Sequence, residues 1–119
     1  MIVAILVIIC GGSGAIVRFL VDALVQSRRG GEFPLGTLIV NLGGCLVLGL
    51  LVGLHAAHDT MLLLGTATIG SYTTFSTWML ETHRPAQDGE PGLAWRNVGI
   101  SLVCGLAAAA VGRALGGLL

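Results

Sequence analysis

The sequence predicts an all-α membrane protein with four transmembrane helices, the third of them broken near its middle. Three observations carry this. Of 119 residues, 55% are hydrophobic and 10% charged, where soluble domains carry about 25% charged residues. The mean hydropathy is +0.93. Four apolar stretches alternate with three short polar connections, each stretch near the roughly 20 residues that a bilayer crossing takes. The chain reads as one four-span membrane domain over residues 1–119, with no room for a catalytic domain of normal size.

The first span is expected at about residues 3–24. Gly11-Gly12-Ser13-Gly14 interrupts it, and it carries Arg18 and Asp22. Its start lacks a charged n-region and a clear cleavage site, so it reads as a retained helix and not as a signal peptide. Pro34 suits the first turn of the second span, about 35–55, which holds Asn41. The short turn from His55 to Asp59 makes spans two and three antiparallel neighbours, with Asp59 or Thr60 able to cap the third. The third span is expected at about 60–81. Thr82 to Gly92, with Pro85, Gly89 and Pro91, reads as a loop. The fourth span, about 93–117, is rich in alanine and glycine. Small residues recur four apart at Gly11 and Ala15, at Gly49 and Gly53, and at Ala108, Gly112 and Gly116. In lipid such stripes let helix backbones approach closely.

The third span is the most informative. Seven of the twelve residues from Thr66 to Thr77 are serine or threonine. Lipid offers no hydrogen-bond partners, so this run should face protein or a water-filled path. Glycine and β-branched threonines favour a local break. Broken, polar helices at the bilayer midplane are a recurrent way to build ion pathways.

Net charge is zero, so nothing points to nucleic acid. Cys10, Cys45 and Cys104 lie in apolar segments without metal-ligand spacing and read as packing residues. His55, His58 and His83 sit at helix ends or in connections. No nucleophile–base pair is visible, so no enzyme is expected.

Other residues admit two readings each. The Asn41 amide can donate to an anion or bridge two helices. Arg18 can snorkel to the interface or make an electropositive vestibule. Phe75 and Trp78, three apart, share a helix face; they can pack, or turn their positive ring edges to an anion. Thr37 with Asn41, and Asn97 with Ser101, form polar stripes on the second and fourth spans.

Three stretches together resemble the Fluc or CrcB family of small bacterial fluoride channels. They are Gly11-Gly12-Ser13-Gly14-Ala15 with Arg18; Gly36-Thr37-Leu38-Ile39-Val40-Asn41 with Gly43-Gly44; and Gly70 with Thr73-Thr74-Phe75-Ser76-Thr77. The resemblance runs nearly end to end. It implies a multi-pass protein of the cell membrane that lets fluoride leave the cell passively, assembled as an antiparallel dimer with two pores. It implies a sodium ion at the dimer centre, held by backbone carbonyls of Gly70 and Thr73. The implied fluoride pore comprises Asn41, Phe75, Trp78 and Ser101, with the hydroxyls of Thr37, Ser76 and Thr77, and Arg18 is the implied vestibule residue.

Two departures stand out. The second pore phenylalanine of the family falls at Trp78, and a polar-track position that is commonly tyrosine is Asn97. In addition, the first and third connections with their flanks hold Arg18, Arg28, Arg29, Arg84 and Arg96, while the opposite side holds only Arg113. Such a bias fixes one orientation in the membrane. A one-way chain cannot form an antiparallel homodimer, so a heterodimer with an oppositely oriented homologous subunit is expected beside the homodimer alternative. Two other functions stay open: a small multidrug-type exporter, and a non-conducting assembly subunit. The exporter family uses a glutamate buried in its first helix, where this chain has only Asp22, near that helix's end.

Overall fold

The computed structural model describes residues 1–119, and all regular structure in it is helical. Helix α1 spans Ile2–Arg28 and α2 spans Leu35–Gly53. A short turn leads into α3, His58–Thr60, which continues without a gap into a wide-wound π-type stretch, Met61–Ile69, and then α4, Gly70–Tyr72. Thr73 and Thr74 are extended. Helix α5 follows at Phe75–Gln87 and α6 at Pro91–Leu118. Helices α1, α2 and α6 are each long and apolar enough to cross a membrane. The stretch expected as the third crossing corresponds to α3, the π-type stretch, α4 and part of α5, none of which is by itself long enough to span a membrane. The long axis of 48 Å exceeds the hydrocarbon thickness of about 30 Å.

Three elements differ from the sequence expectation. Helix α1 runs unbroken through Gly11-Gly12-Ser13-Gly14, which do not interrupt it, and on to Arg28. The second span ends at Gly53, closed by a Schellman motif. The His55 N–H reaches the Val52 carbonyl and the Ala56 N–H the Leu51 carbonyl, each at 3.1 Å. His55 takes the left-handed conformation, φ 51°, that this motif requires. Third, much of the expected loop from Thr82 to Gly92 is helix: α5 continues to Gln87 despite Pro85. Packing explains it. Met79, Thr82, His83 and Ala86 line a cleft opposite Pro91, Ala94, Trp95 and Val98 of α6. Both sets repeat at helical spacing, so the pairing outweighs the backbone bond that proline removes.

Helices α2 and α6 form the most extensive pair. Gly49 lies against the Ala109 carbonyl and Gly53 against that of Arg113. From the other side, Gly112 lies against the Leu46 carbonyl and Gly116 against that of Leu50. A Cβ at any of these four positions would strike backbone. On α1 the same close approach falls at Gly14, against the Thr68 backbone, while most of that helix's apolar side chains face outward.

Within the π-type stretch the Gly70 N–H reaches back five residues to the Gly65 carbonyl. The Thr68 hydroxyl donates to the Leu63 carbonyl, also five residues back, at 2.8 Å. This wider winding leads directly into the interruption at Thr73 and Thr74.

Candidate functional site

The interruption is organised by one side chain. The Asn41 Nδ2 donates to the Thr74 carbonyl at 3.0 Å, and the Thr74 N–H donates to Asn41 Oδ1 at 2.8 Å. The amide therefore pairs with both backbone groups of Thr74, much as a strand neighbour would. Thr74 then caps α5: its hydroxyl accepts from the Thr77 N–H at 3.3 Å and donates to the Thr77 hydroxyl at 3.1 Å. A threonine whose oxygen takes an orphan N–H of the first turn is a good N-cap.

With Thr73 and Thr74 extended and Phe75 opening α5, the four carbonyls from Gly70 to Thr73 all lack their helical donors. The N–H that would bond Gly70 O in a continuous helix is that of Thr74, and it goes to Asn41. The N–H that would bond Thr73 O is that of Thr77, and it goes to the Thr74 hydroxyl. Gly70 and Thr73, the residues expected to hold sodium, are two of these four. Oxygen-only donors suit a hard cation, so this backbone fits such an ion.

Beside the interruption lies a cavity of about 350 Å³, in whose wall Asn41, Gly70, Thr73, Phe75, Trp78 and Ser101 meet. The Phe75 and Trp78 rings are 5.6 Å apart and cross at 70°, an edge-to-face arrangement. Phe75 is 70% exposed. Gly44 keeps the wall open, because a Cβ there would strike the Thr73 methyl. No carboxylate lines this cavity.

A second cavity, of about 190 Å³, gathers Arg18, Asp22, Thr37 and Thr77 with Phe19 and Val40. Thr74 lines both cavities and is 8% exposed. The expected site residues therefore fall into two groups on either side of it. Ser76 lines neither; it is exposed, with its hydroxyl 3.5 Å from that of Thr74.

Three enclosed side-chain atoms make no hydrogen bond of good geometry, Thr37 Oγ1, Trp78 Nε1 and Glu81 Oε2, but the Thr37 hydroxyl and the Glu81 carboxyl lie close enough to pair with each other. Thr37 is 2% exposed. An unpaired buried polar group costs about 1–3 kcal/mol, so such atoms call for an explanation.

Asn97 is 1% exposed and contributes no wall to either cavity. Its Nδ2 donates to the Thr82 hydroxyl at 2.8 Å. That hydroxyl donates to the Trp78 carbonyl at 2.8 Å. Ser101 donates to Asn97 Oδ1 at 3.4 Å. Asn97 thus ties α5 to α6. Sequence reasoning missed Thr74 and Thr82 as contributors. A threonine three residues before another at a helix start signals the first. Nothing local signals the second.

The matrix of small residues, the broken third crossing and the asparagine clamp can be set beside known proteins. A family model described as "CrcB-like protein, Camphor Resistance (CrcB)" matches residues 5–113. The chain belongs to the CrcB family. Similar proteins include one named fluoride-specific ion channel FluC 2 from Mycolicibacterium paratuberculosis. It is 49% identical over 109 residues, covering 92% of this chain and 89% of that one. A protein of the same name from Mycobacterium bovis is 50% identical over 107 residues, covering 90% and 85%. One from Symbiobacterium thermophilum, named fluoride-specific ion channel FluC 1, is 42% identical over 118 residues, covering 94% and 95%. The family resemblance read from the sequence is borne out, and with its apolar helices this CrcB chain is a multi-pass membrane protein.

Proposed function

We propose that this CrcB chain is a subunit of a fluoride channel that lets the anion leave the cell passively. The observation that carries the reading is the uncharged, mostly apolar cavity beside the interrupted third crossing, into whose wall Asn41, Thr73 and Ser101 bring a few neutral polar groups. The names of the relatives at 42–50% identity agree with it.

The chemistry follows from the lining. A bare ion in a low-dielectric medium costs tens of kcal/mol by Born estimates, so the path must replace water. Arg18 at the second cavity offers a positive group to an arriving anion, offset in part by Asp22 in the same wall. Thr37 and Thr77 offer hydroxyls there; Asn41, Ser101 and the ring edges of Phe75 and Trp78 serve the first cavity, with Ser76 at the rim. Neutral donors compensate the ion without trapping it, which conduction requires.

A sodium ion held by the Gly70 and Thr73 carbonyls of two antiparallel subunits would supply a fixed positive potential. The run of carbonyls without helical donors at the break is compatible with that assignment and leaves Ser71 and Tyr72 as alternative ligands. The arginine bias favours a partner of opposite orientation over a second copy of this chain.

A second reading, a subunit that assembles but does not conduct, is favoured by one feature. Trp78 puts the bulkier indole in the cavity wall. A cationic-drug exporter is disfavoured, because no carboxylate lines the cavity beside the interruption and Asp22 shares its cavity with Arg18.

Fluoride efflux from liposomes tests the proposal, with the chain alone and with an oppositely oriented homologue. Efflux only with the homologue supports the heterodimeric channel. Efflux from the chain alone supports a homodimer. Silence in both, with insertion verified, moves the assignment to the assembly subunit. Replacing sodium by a bulky organic cation on both sides should abolish efflux; unchanged efflux would refute the sodium site.

A further inference from the structure

Three arginines gather at one end of the molecule. Arg28 ends α1, Arg29 follows it, and Arg96 lies near the start of α6. All three line an open groove of about 530 Å³, together with Phe33 and Glu32. Glu32 is the one carboxylate in that wall, so positive charge stays in excess. The three arginines are exposed, and none of their guanidinium groups makes a side-chain hydrogen bond. The Arg96 guanidinium lies 5.3 Å from the Phe33 ring centre. Stacking of this kind engages the face of the group and leaves its in-plane N–H donors free. The backbone adds donors, because the N–H groups of Gly30, Gly31, Glu32 and Phe33 make no backbone hydrogen bond. Arg18 belongs to the cavity at the interruption and not to this groove; it stands about 15 Å from Arg28 along α1.

The surroundings set the groove at the membrane surface. Beneath Arg28 the outward side of α1 is apolar: Leu24 is 51% exposed and Leu20 58%, and their spacing puts them on one side of the helix. Next to Arg96, Trp95 is 75% exposed. Exposed tryptophans of membrane helices settle at the headgroup level. An apolar flank suited to acyl chains thus leads into a cationic groove at the level of the lipid phosphates.

We propose that this groove binds a phospholipid with an anionic, hydroxyl-bearing headgroup, of which phosphatidylglycerol is the simplest. Guanidinium forks match phosphate oxygens in charge and geometry, and basic pockets beside membrane helices hold anionic headgroups. The Glu32 carboxylate can accept a hydrogen bond from the headgroup hydroxyl. A zwitterionic headgroup would instead bring a further cation to a cationic wall. The site goes beyond fluoride conduction and rests only on the chain's place in a membrane.

Nanodiscs of mixed phosphatidylglycerol and phosphatidylcholine hold the chain without regard to its direction of insertion. Native mass spectrometry after release then counts the lipids that stay bound. Retention of phosphatidylglycerol well above phosphatidylcholine is expected. Arg28→Gln, Arg29→Gln and Arg96→Gln together should reduce that preference about tenfold or more, in keeping with the attraction of each arginine to an anionic surface. Arg113→Gln, near the other end of α6, should keep it. Equal retention of both lipids by the parent overturns the proposal without any substitution. So does a preference that survives in the triple variant at an unchanged melting temperature. If the triple variant melts early, Arg29→Gln alone takes its place, with a smaller loss expected and an unchanged preference counting against the site. Excess inorganic phosphate added to the parent separates the two sources of the anion. Lipid that stays bound supports a lipid site; lipid displaced by phosphate overturns it in favour of a free anion.

Discussion

Asn41 does the bridging work that a buried amide does in most proteins, and that work holds the interruption open. Asn41→Leu would leave the Thr74 N–H and carbonyl without their partner. At about 1–3 kcal/mol for each unsatisfied group, the expected outcome is a lower detergent melting temperature and loss of fluoride efflux. Asn41→Asp keeps the acceptor for the Thr74 N–H but, when ionised, sets a part-buried charge against the Thr74 carbonyl, so it should lose at least as much thermal stability as Asn41→Leu. His55 makes a contrasting case. It holds φ 51° in the α2 C-terminal motif, a conformation that non-glycine residues adopt at a cost of about 1–2 kcal/mol. His55→Gly should raise the melting temperature and leave efflux unchanged. The sequence shows a histidine at a helix end; only backbone geometry shows why glycine would serve better. Likewise the two readings of Asn41 differ only in which neighbour meets the amide. A single sequence cannot show that Thr74, thirty-three residues away, is that neighbour.

At the scale of elements, the stripes of small residues were legible because spacing is a property of one helix. Which stripe meets which was not legible, because it depends on three-dimensional pairing. The Gly49–Gly53 stripe pairs with Gly112 and Gly116. Gly112→Val should disrupt the α2–α6 seam by about 1–3 kcal/mol, the usual cost of overpacking, and appear as aggregation on size exclusion. Gly117→Ala, with open space at its Cβ, should behave as the parent. The length of α5 was hidden for another reason. Pro85 and a polar composition mimic a loop, and only the facing stripe on α6 overrides them. Asn97→Leu would strip Thr82 and Ser101 of their shared partner. Faster hydrogen exchange in α5 than in α2 is the expected result, and an unchanged pattern would show that the link contributes little.

For the whole molecule, the arginine distribution is the feature with the widest reach. Arg28 and Arg29 end α1, Arg84 lies near the end of α5, and Arg96 opens α6 with its guanidinium 5.3 Å from the Phe33 ring centre. The last contact, a cation–π pair, ties the first connection to the start of α6 at the arginine-rich end. One membrane orientation is expected, and labelling of single cysteines placed in the two end regions should react from one side each. Equal labelling from both sides would restore the homodimer. The wide winding of Met61–Ile69 has a consequence of its own. Successive α-helical residues are about 100° apart around the axis, so a helix carries a rotational phase that passes down the chain. Each turn closed five residues back shifts that phase. The stretch therefore acts as an angular offset, and it aims everything after it, including the face on which Thr73 and Thr74 meet Asn41. Deleting one residue there would turn the rest of the third crossing by roughly a quarter of a circle, with every later side chain intact and none pointing where it did.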